Sequence, residues 1–227
     1  MHKKLILTLL VGVVLMYTGS VGAESCYPNS AFTVVSQSSQ VMEIRFDLPY
    51  YQINRVFNAG NNYDKIEMAD VSYLTETGMP ELPILSTMIA IPAKGCASVE
   101  IINSTTKESK NILPFPVQKN DSESGILEIN SAYYNGEKDI PTQVLKYSEP
   151  QILRDFRVIS IQLQPFIWSP ISRILTVHEQ ISLRVTFSDE KGINELSAPP
   201  VISSTFAKLY SSLILNYDNY RTDPVQE

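Results

Sequence analysis

Histidine and cysteine are nearly absent: the 227 residues hold two of each. His2 lies in a terminal segment expected to be removed, which leaves His178 as the imidazole of the mature chain. A Cys–His dyad would have to join His178 to Cys26 or Cys96, with both proximity and a free thiol. A zinc site lacks ligands. Glycine-rich phosphate loops and a G-x-S-x-G elbow are missing too. Basic charge is scarce. Eighteen Lys and Arg against 24 Asp and Glu give a formal charge of −6 with no compensating basic patch, which argues against nucleic-acid binding. The acidic residues have no metal-ligand spacing, so Asp121 and Glu123 in the tip QKNDSESG read as a solvated turn. No metal and no cofactor is expected, and the residues alone indicate a chain that is not an enzyme.

Charged residues make up only 19% and apolar ones 44%, which excludes disorder over the whole chain and suffices for a core. Long apolar runs are limited to Leu5–Met16. His2, Lys3 and Lys4 precede that run and Val21-Gly22-Ala23 follows it, the pattern of a secretory signal peptide cut after Ala23. The run is short for a membrane span. An uncleaved anchor is the alternative. A lipoprotein anchor fits less well, because Glu24 and Ser25 precede Cys26. Residues 1–23 are therefore expected to direct secretion to the periplasm or beyond, with no membrane attachment after cleavage. Their loss removes Lys3 and Lys4, leaving 16 basic against 24 acidic residues, a charge of −8. In an oxidising compartment Cys26 and Cys96 either pair or remain unrelated thiols. A bond would close a loop of about 70 residues and contribute roughly 4 kcal/mol in the chain-entropy model.

What the chain does have is β-pattern. Fourteen Pro and twelve Tyr suit a turn-rich β-protein. Met42, Ile44, Phe46 and Leu48 alternate with polar residues, after a first strand at Ala31–Val35. Tyr51, Ile53 and Val56 continue beyond Pro49, Asn58–Asn62 is a turn cluster, and Ile66–Tyr73 alternates weakly. Gly78–Pro83 is a rigid bend in which Gly78 can take a positive φ. Ile84–Ile91 reads as a strand buried on both faces, with Val99–Ile102 returning after Lys94-Gly95. Asn103–Asn111 is polar. Pro114 and Pro116 make Ile112–Val117 an edge segment, and Ile126–Tyr134 reads as a returning strand.

The strongest signal runs from Glu149 to Phe187. Phe156, Val158 and Ser160 share one face, and Ile159, Ile161 and Leu163 the other. A Pro-aromatic-Pro bend spans Pro165–Pro170. A short strand at Ile174–His178 follows, then the alternation Ile181, Leu183, Val185, Phe187. Such a face needs a second sheet to cover it, so an all-β antiparallel sandwich, jelly-roll-like, is predicted over residues 24–217. One short C-terminal helix is expected, capped by Ser204 or Thr205, with Phe206, Leu209, Tyr210, Leu213 and Tyr217 on one face. Residues 218–227 form a polar tail or linker.

Two segments carry a family resemblance: GMPELPILSTMIAIP from Gly78, and EPQILRDFR from Glu149 leading through Gln164-Pro165 and Trp168-Ser169-Pro170 to Phe187. Together they resemble the N-terminal propeptide of gingipain-type cysteine proteases, and STFAKLYSSLILNY is similar to that family's closing helix. The likeness spans roughly Phe32 to Arg221. It implies a β-sandwich that assists the folding of a secreted protease and keeps it latent. Its partner would be a gingipain-type catalytic domain. In such zymogens a basic side chain on a prodomain loop enters the protease's S1 pocket. The matching position here is Lys119, where relatives specific for arginine carry Arg. A loop poorly posed for attack would present the cation without being cut. Propeptide release after a basic residue beyond the closing helix would fall at Arg221. The family continues into a domain bearing the catalytic His and Cys, whereas this sequence stops at Glu227. It is either part of a longer precursor or a free-standing propeptide-like domain, inert alone in both cases. A stand-alone secreted sandwich that binds a protein or a surface glycan is the other functional reading.

Overall fold

A computed structural model describes residues 28–119, 126–197 and 204–220. A 3-10 turn at Pro28–Ala31 leads into β1 (Phe32–Gln37), β2 (Val41–Asp47), β3 (Gln52–Asn58), β4 (Asn61–Glu67), β5 (Ser72–Tyr73), β6 (Pro83–Ala90) and β7 (Cys96–Ser109). One helical turn, α1 (Ser131–Tyr134), precedes β8 (Leu145–Tyr147), β9 (Gln151–Leu153), β10 (Phe156–Leu163), β11 (Phe166–Ser169) and β12 (Ile174–Ser188), and α2 (Ala207–Leu213) is followed by a 3-10 turn at Tyr217–Tyr220 that ends the described residues.

Two five-stranded sheets face each other, with every strand pair antiparallel. In the first, β12 lies between β7 on one side and β2 with β11 on the other, and β1 completes the β2 edge. In the second, β10 is flanked by β6 on one side and by β8 and β9 on the other. Met42, Ile44 and Phe46 of β2 and Ile181, Leu183 and Val185 of β12 meet Leu85 and Ile89 of β6 and Ile159, Ile161 and Leu163 of β10 in the inter-sheet core. The sandwich predicted from alternation is thus the observed fold.

β10 also confirms the reading of its two faces. Ile159, Ile161 and Leu163 point into the sandwich, while Phe156 and Val158 point outward into a separate cluster with Tyr210, Ile214 and Tyr217. A third layer therefore lies on the second sheet, supplied by residues 206–220.

Several local expectations fail. β12 is one strand, not two: the polar run His178-Glu179-Gln180 holds a bulge, with Glu179 skipped opposite β7. Residues Asn103–Ser109 extend β7 along the full length of β12, because an edge strand solvated on both faces needs only ladder hydrogen bonds. The Pro-aromatic-Pro bend is a strand, β11, whose Phe166 and Trp168 are buried. Ile66 lies near the end of β4, which stops at Glu67, and does not open a strand to Tyr73; a turn with Asp70 at φ +54° separates it from β5. Ile126–Tyr134 does not return as a strand. It ends in α1, because the Asn130 side chain accepts the Ala132 N–H at 3.0 Å and caps a helical turn. The last helix has no side-chain cap, and Leu209 and Leu213 are 44% and 38% exposed. Its buried partners are instead Tyr210 within it and Ile214 and Tyr217 beyond its end.

Candidate functional site: the stem of the Lys119 loop

Lys119 is exposed and ends the described part of the chain before residue 126. The segment leading to it, 112–117, carries Pro114 and Pro116, which donate no hydrogen bond, and it is held from both sides by other chain segments. On one side stands Asp64 of β4. Its N–H donates to Leu113 O at 2.7 Å, its carbonyl accepts from Phe115 N at 3.0 Å, and its buried carboxylate accepts from Leu113 N at 2.9 Å. Arg55, opposite in β3, reaches the other carboxylate oxygen at 3.3 Å. On the other side runs the bend 78–81. Val117 N donates to Met79 O at 2.8 Å and Glu81 N to Phe115 O at 2.8 Å. Glu81 sits low enough that burial raises its carboxyl above the usual range, with the Lys65 charge opposing.

Gly78 joins the outgoing and returning limbs of the loop. Its N–H donates to Val117 O at 2.9 Å, and its carbonyl accepts from Asn130 N at 3.0 Å. It has φ +79°, and a Cβ there would lie 2.6 Å from Asn130 N. The positive φ anticipated at this position is therefore present, and the close approach gives it a reason. Gln118, next to Lys119, adds a second tie: its Oε1 accepts from Glu128 N at 2.8 Å and its Nε2 donates to Glu128 O at 2.9 Å. Beyond them Leu127 N donates to Asn58 Oδ1 at the end of the β3–β4 hairpin, 3.3 Å away. Below, Tyr134 of α1 packs on Trp168 with ring centroids 5.3 Å apart and donates its hydroxyl to Pro114 O at 2.8 Å. Burial pushes that phenol's pKa upward.

His178 lies in β12 with Nδ1 2.7 Å from Ser104 Oγ, and burial lowers its pKa. It pairs opposite Thr106, whereas Cys96 pairs opposite Ser188 at the far end of the same ladder. Ten residues of strand separate the two, roughly 30 Å, so they form no dyad. Cys96 is half-buried with Sγ 3.6 Å from the carbonyls of Glu190 and Lys191. Cys26, Ala23, Asp121, Glu123 and Arg221 lie outside the described residues. Among the described residues no group of His, Cys, Asp and Glu could hold a metal ion.

The profile of the Propeptide_C25 family matches residues 24–222. The chain belongs to that family. Gingipain R1 of Porphyromonas gingivalis is 30% identical over 158 residues, which cover 68% of this chain. Gingipain R2 of the same organism is 26% identical over 206 residues, 88% of this chain, and Lys-gingipain is 20% identical over 235 residues. The aligned parts are 16%, 28% and 13% of those proteins, so this chain spans a small fraction of their length. Among solved structures, a complex of the P. gingivalis RgpB pro- and mature domains contains a chain that matches at TM-score 0.71 and 24% identity, over 83% of this chain and 97% of that one. A structure concerned with the zymogenic latency of gingipain K matches at TM-score 0.57 and 18% identity, over 69% of this chain. The chain is thus a non-catalytic propeptide region with the prodomain fold.

Residue patterns did not bring out Asp64, Gln118 or Asn130. Asn130 had a legible signal, a capping residue directly before Ser-Ala-Tyr-Tyr. Asp64 and Gln118 had none, since a buried carboxylate and a loop-stem amide look like ordinary polar residues until their partners are placed.

Proposed function

We propose that this propeptide keeps a gingipain-type cysteine protease latent by setting Lys119 into the substrate cleft of the catalytic domain, and that it assists that domain's folding. The observation that carries this reading is an exposed lysine on a loop whose two limbs are fixed to a sandwich by Asp64, Gly78 and Gln118. A cation so displayed satisfies an acidic pocket, while the held backbone resists attack. The RgpB pro- and mature domains form a complex in their solved structure, which supports a catalytic domain as the partner here, in cis within a precursor or in trans. In this reading residues 1–23 direct export and are cut after Ala23, and maturation cleaves after Arg221. N-terminal and C-terminal sequencing of the processed protein tests both cuts.

The decisive experiment measures inhibition of arginine- and lysine-specific gingipain-type proteases by the purified domain and by Lys119→Ala. Loss of a pocket-filling charge should weaken inhibition by about 2 kcal/mol or more, a factor of about thirty. An inhibition constant unmoved by Lys119→Ala removes Lys119 from the mechanism.

A further inference from the structure

Val117 has committed its backbone to the 78–81 segment, its N–H to Met79 and its carbonyl to Gly78. Pro116 has no N–H to give. The outgoing limb therefore has little main chain left with which to grip the returning one. The Gln118 side chain supplies that grip. Its amide faces the peptide of Glu128 in a two-point pair, accepting at 2.8 Å and donating at 2.9 Å, as one rung of a β-ladder would. The same Nε2 lies 3.1 Å and 3.0 Å from the carbonyls of Pro116 and Val117, so its second proton braces its own limb. The residue immediately before Lys119 is thus fixed against the other limb, and Gly78 fixes the residue before that. Leu127 is tied in turn to Asn58.

We propose that Gln118 is the positioning residue of the Lys119 loop: it clasps the two limbs so that the lysine is presented to a protease while the Lys119–Asn120 bond is cut slowly. The proposal rests on the reading of Lys119 given above and adds the device that makes a lysine-bearing loop an inhibitor instead of a substrate. A substrate must let its backbone settle into the cleft on both sides of the scissile bond. A clasp one residue before that bond opposes the adjustment, and it also removes the ordering cost of docking.

The test uses the full chain with Gln118→Ala and with Gln118→Glu. The glutamate variant keeps the side-chain length and an acceptor for the Glu128 N–H but offers no donor to the three carbonyls. It also keeps the test open should the alanine variant fold poorly. Trypsin, which cuts after lysine, reports on the loop without any cognate enzyme. Cutting after Lys119, followed by mass spectrometry, should speed up about tenfold in both variants, with cutting at other Lys and Arg sites and the melting temperature unchanged. The inhibition constant for a gingipain-type protease should rise about tenfold as well. Equal cutting rates after Lys119 in wild type and both variants would overturn the proposal. A chain that inhibits no such protease, but whose variants are cut faster after Lys119, would sink the inhibitory reading and leave the clasp standing.

Discussion

Gly78 and Glu195 show how single residues fasten whole segments through backbone groups. At Gly78 an added Cβ meets both a left-handed backbone and the Asn130 peptide 2.6 Å away. Gly78→Ala should cost about 1–3 kcal/mol and displace the returning limb, weakening inhibition as well as stability. Gly60 is the control, at φ +84° with open space where its Cβ would go. Gly60→Ala should cost only about 1 kcal/mol and leave inhibition unchanged. Urea unfolding and inhibition constants for the two variants separate strain from loop displacement. Glu195 accepts from Gly95 N and Gly192 N, each at 2.9 Å, and these bonds hold its carboxyl below the usual range, with Arg157 and Lys94 adding to the effect. A folded pKa below the unfolded one contributes stability above the ordinary carboxylate range, about pH 4.3 for glutamate, and that stability is lost as pH falls through the folded value. Glu195→Gln should therefore melt lower than wild type at pH 7, and the difference should vanish toward pH 3. A difference that persists at pH 3 would mean that charge has no part in holding residues 188–197.

At the scale of elements, the third layer depends on a side chain acting as a strand. Buried Asn216 accepts from Ala90 N at 2.8 Å and donates to Ala90 O at 2.9 Å, completing the free edge of β6 where the chain runs past it. Asn216→Ala strands the Ala90 N–H in the interior, at about 1–3 kcal/mol, and leaves the Ala90 carbonyl only the Tyr220 hydroxyl at 3.5 Å. Asn219, exposed and bonded to Gln37 at 2.6 Å, is the control, and its alanine variant should stay within about 0.5 kcal/mol of wild type. Denaturant midpoints at unchanged slope decide the matter. β2, β10 and the second half of β12 were legible by their alternation and β6 by its unbroken apolar run, because each has a core to face. Of β7 only the stretch Val99–Ile102 was legible; Asn103–Ser109 was not, since an edge strand wet on both sides leaves no apolar period. β11 was hidden by its flanking prolines, which mark bends as often as strand ends. The closing helix was legible as a helix but not in its face, because it is only one short turn-pair long and the chain beyond it does the burying.

At the scale of the whole molecule, the order of the layers decides what the proposed cut after Arg221 would leave intact. Sheet one covers one face of sheet two, and residues 206–220 cover the other. Phe156 stands at the centre of that outer layer, with ring centroids 4.9 Å from Tyr210, 5.9 Å from Tyr217 and 5.7 Å from Tyr220. Tyr210 also donates to Asp155 at 2.6 Å, and Arg154 stacks 3.8 Å above the Phe206 ring. Burial of Tyr210, Ile214 and Tyr217 contributes about 1.5–3 kcal/mol each, a sum comparable with the whole stability of a domain of this size. A cut after Arg221 leaves all of these contacts on the propeptide side. Residues 24–221 should consequently melt cooperatively within a few degrees of the full chain. Residues 24–197 should show no cooperative transition and should bind a hydrophobic dye through the bared face of Phe156 and Val158. Calorimetry of the two truncations tests this. A cooperative transition of 24–197 at the temperature of the longer chain would show that the sandwich stands without its third layer.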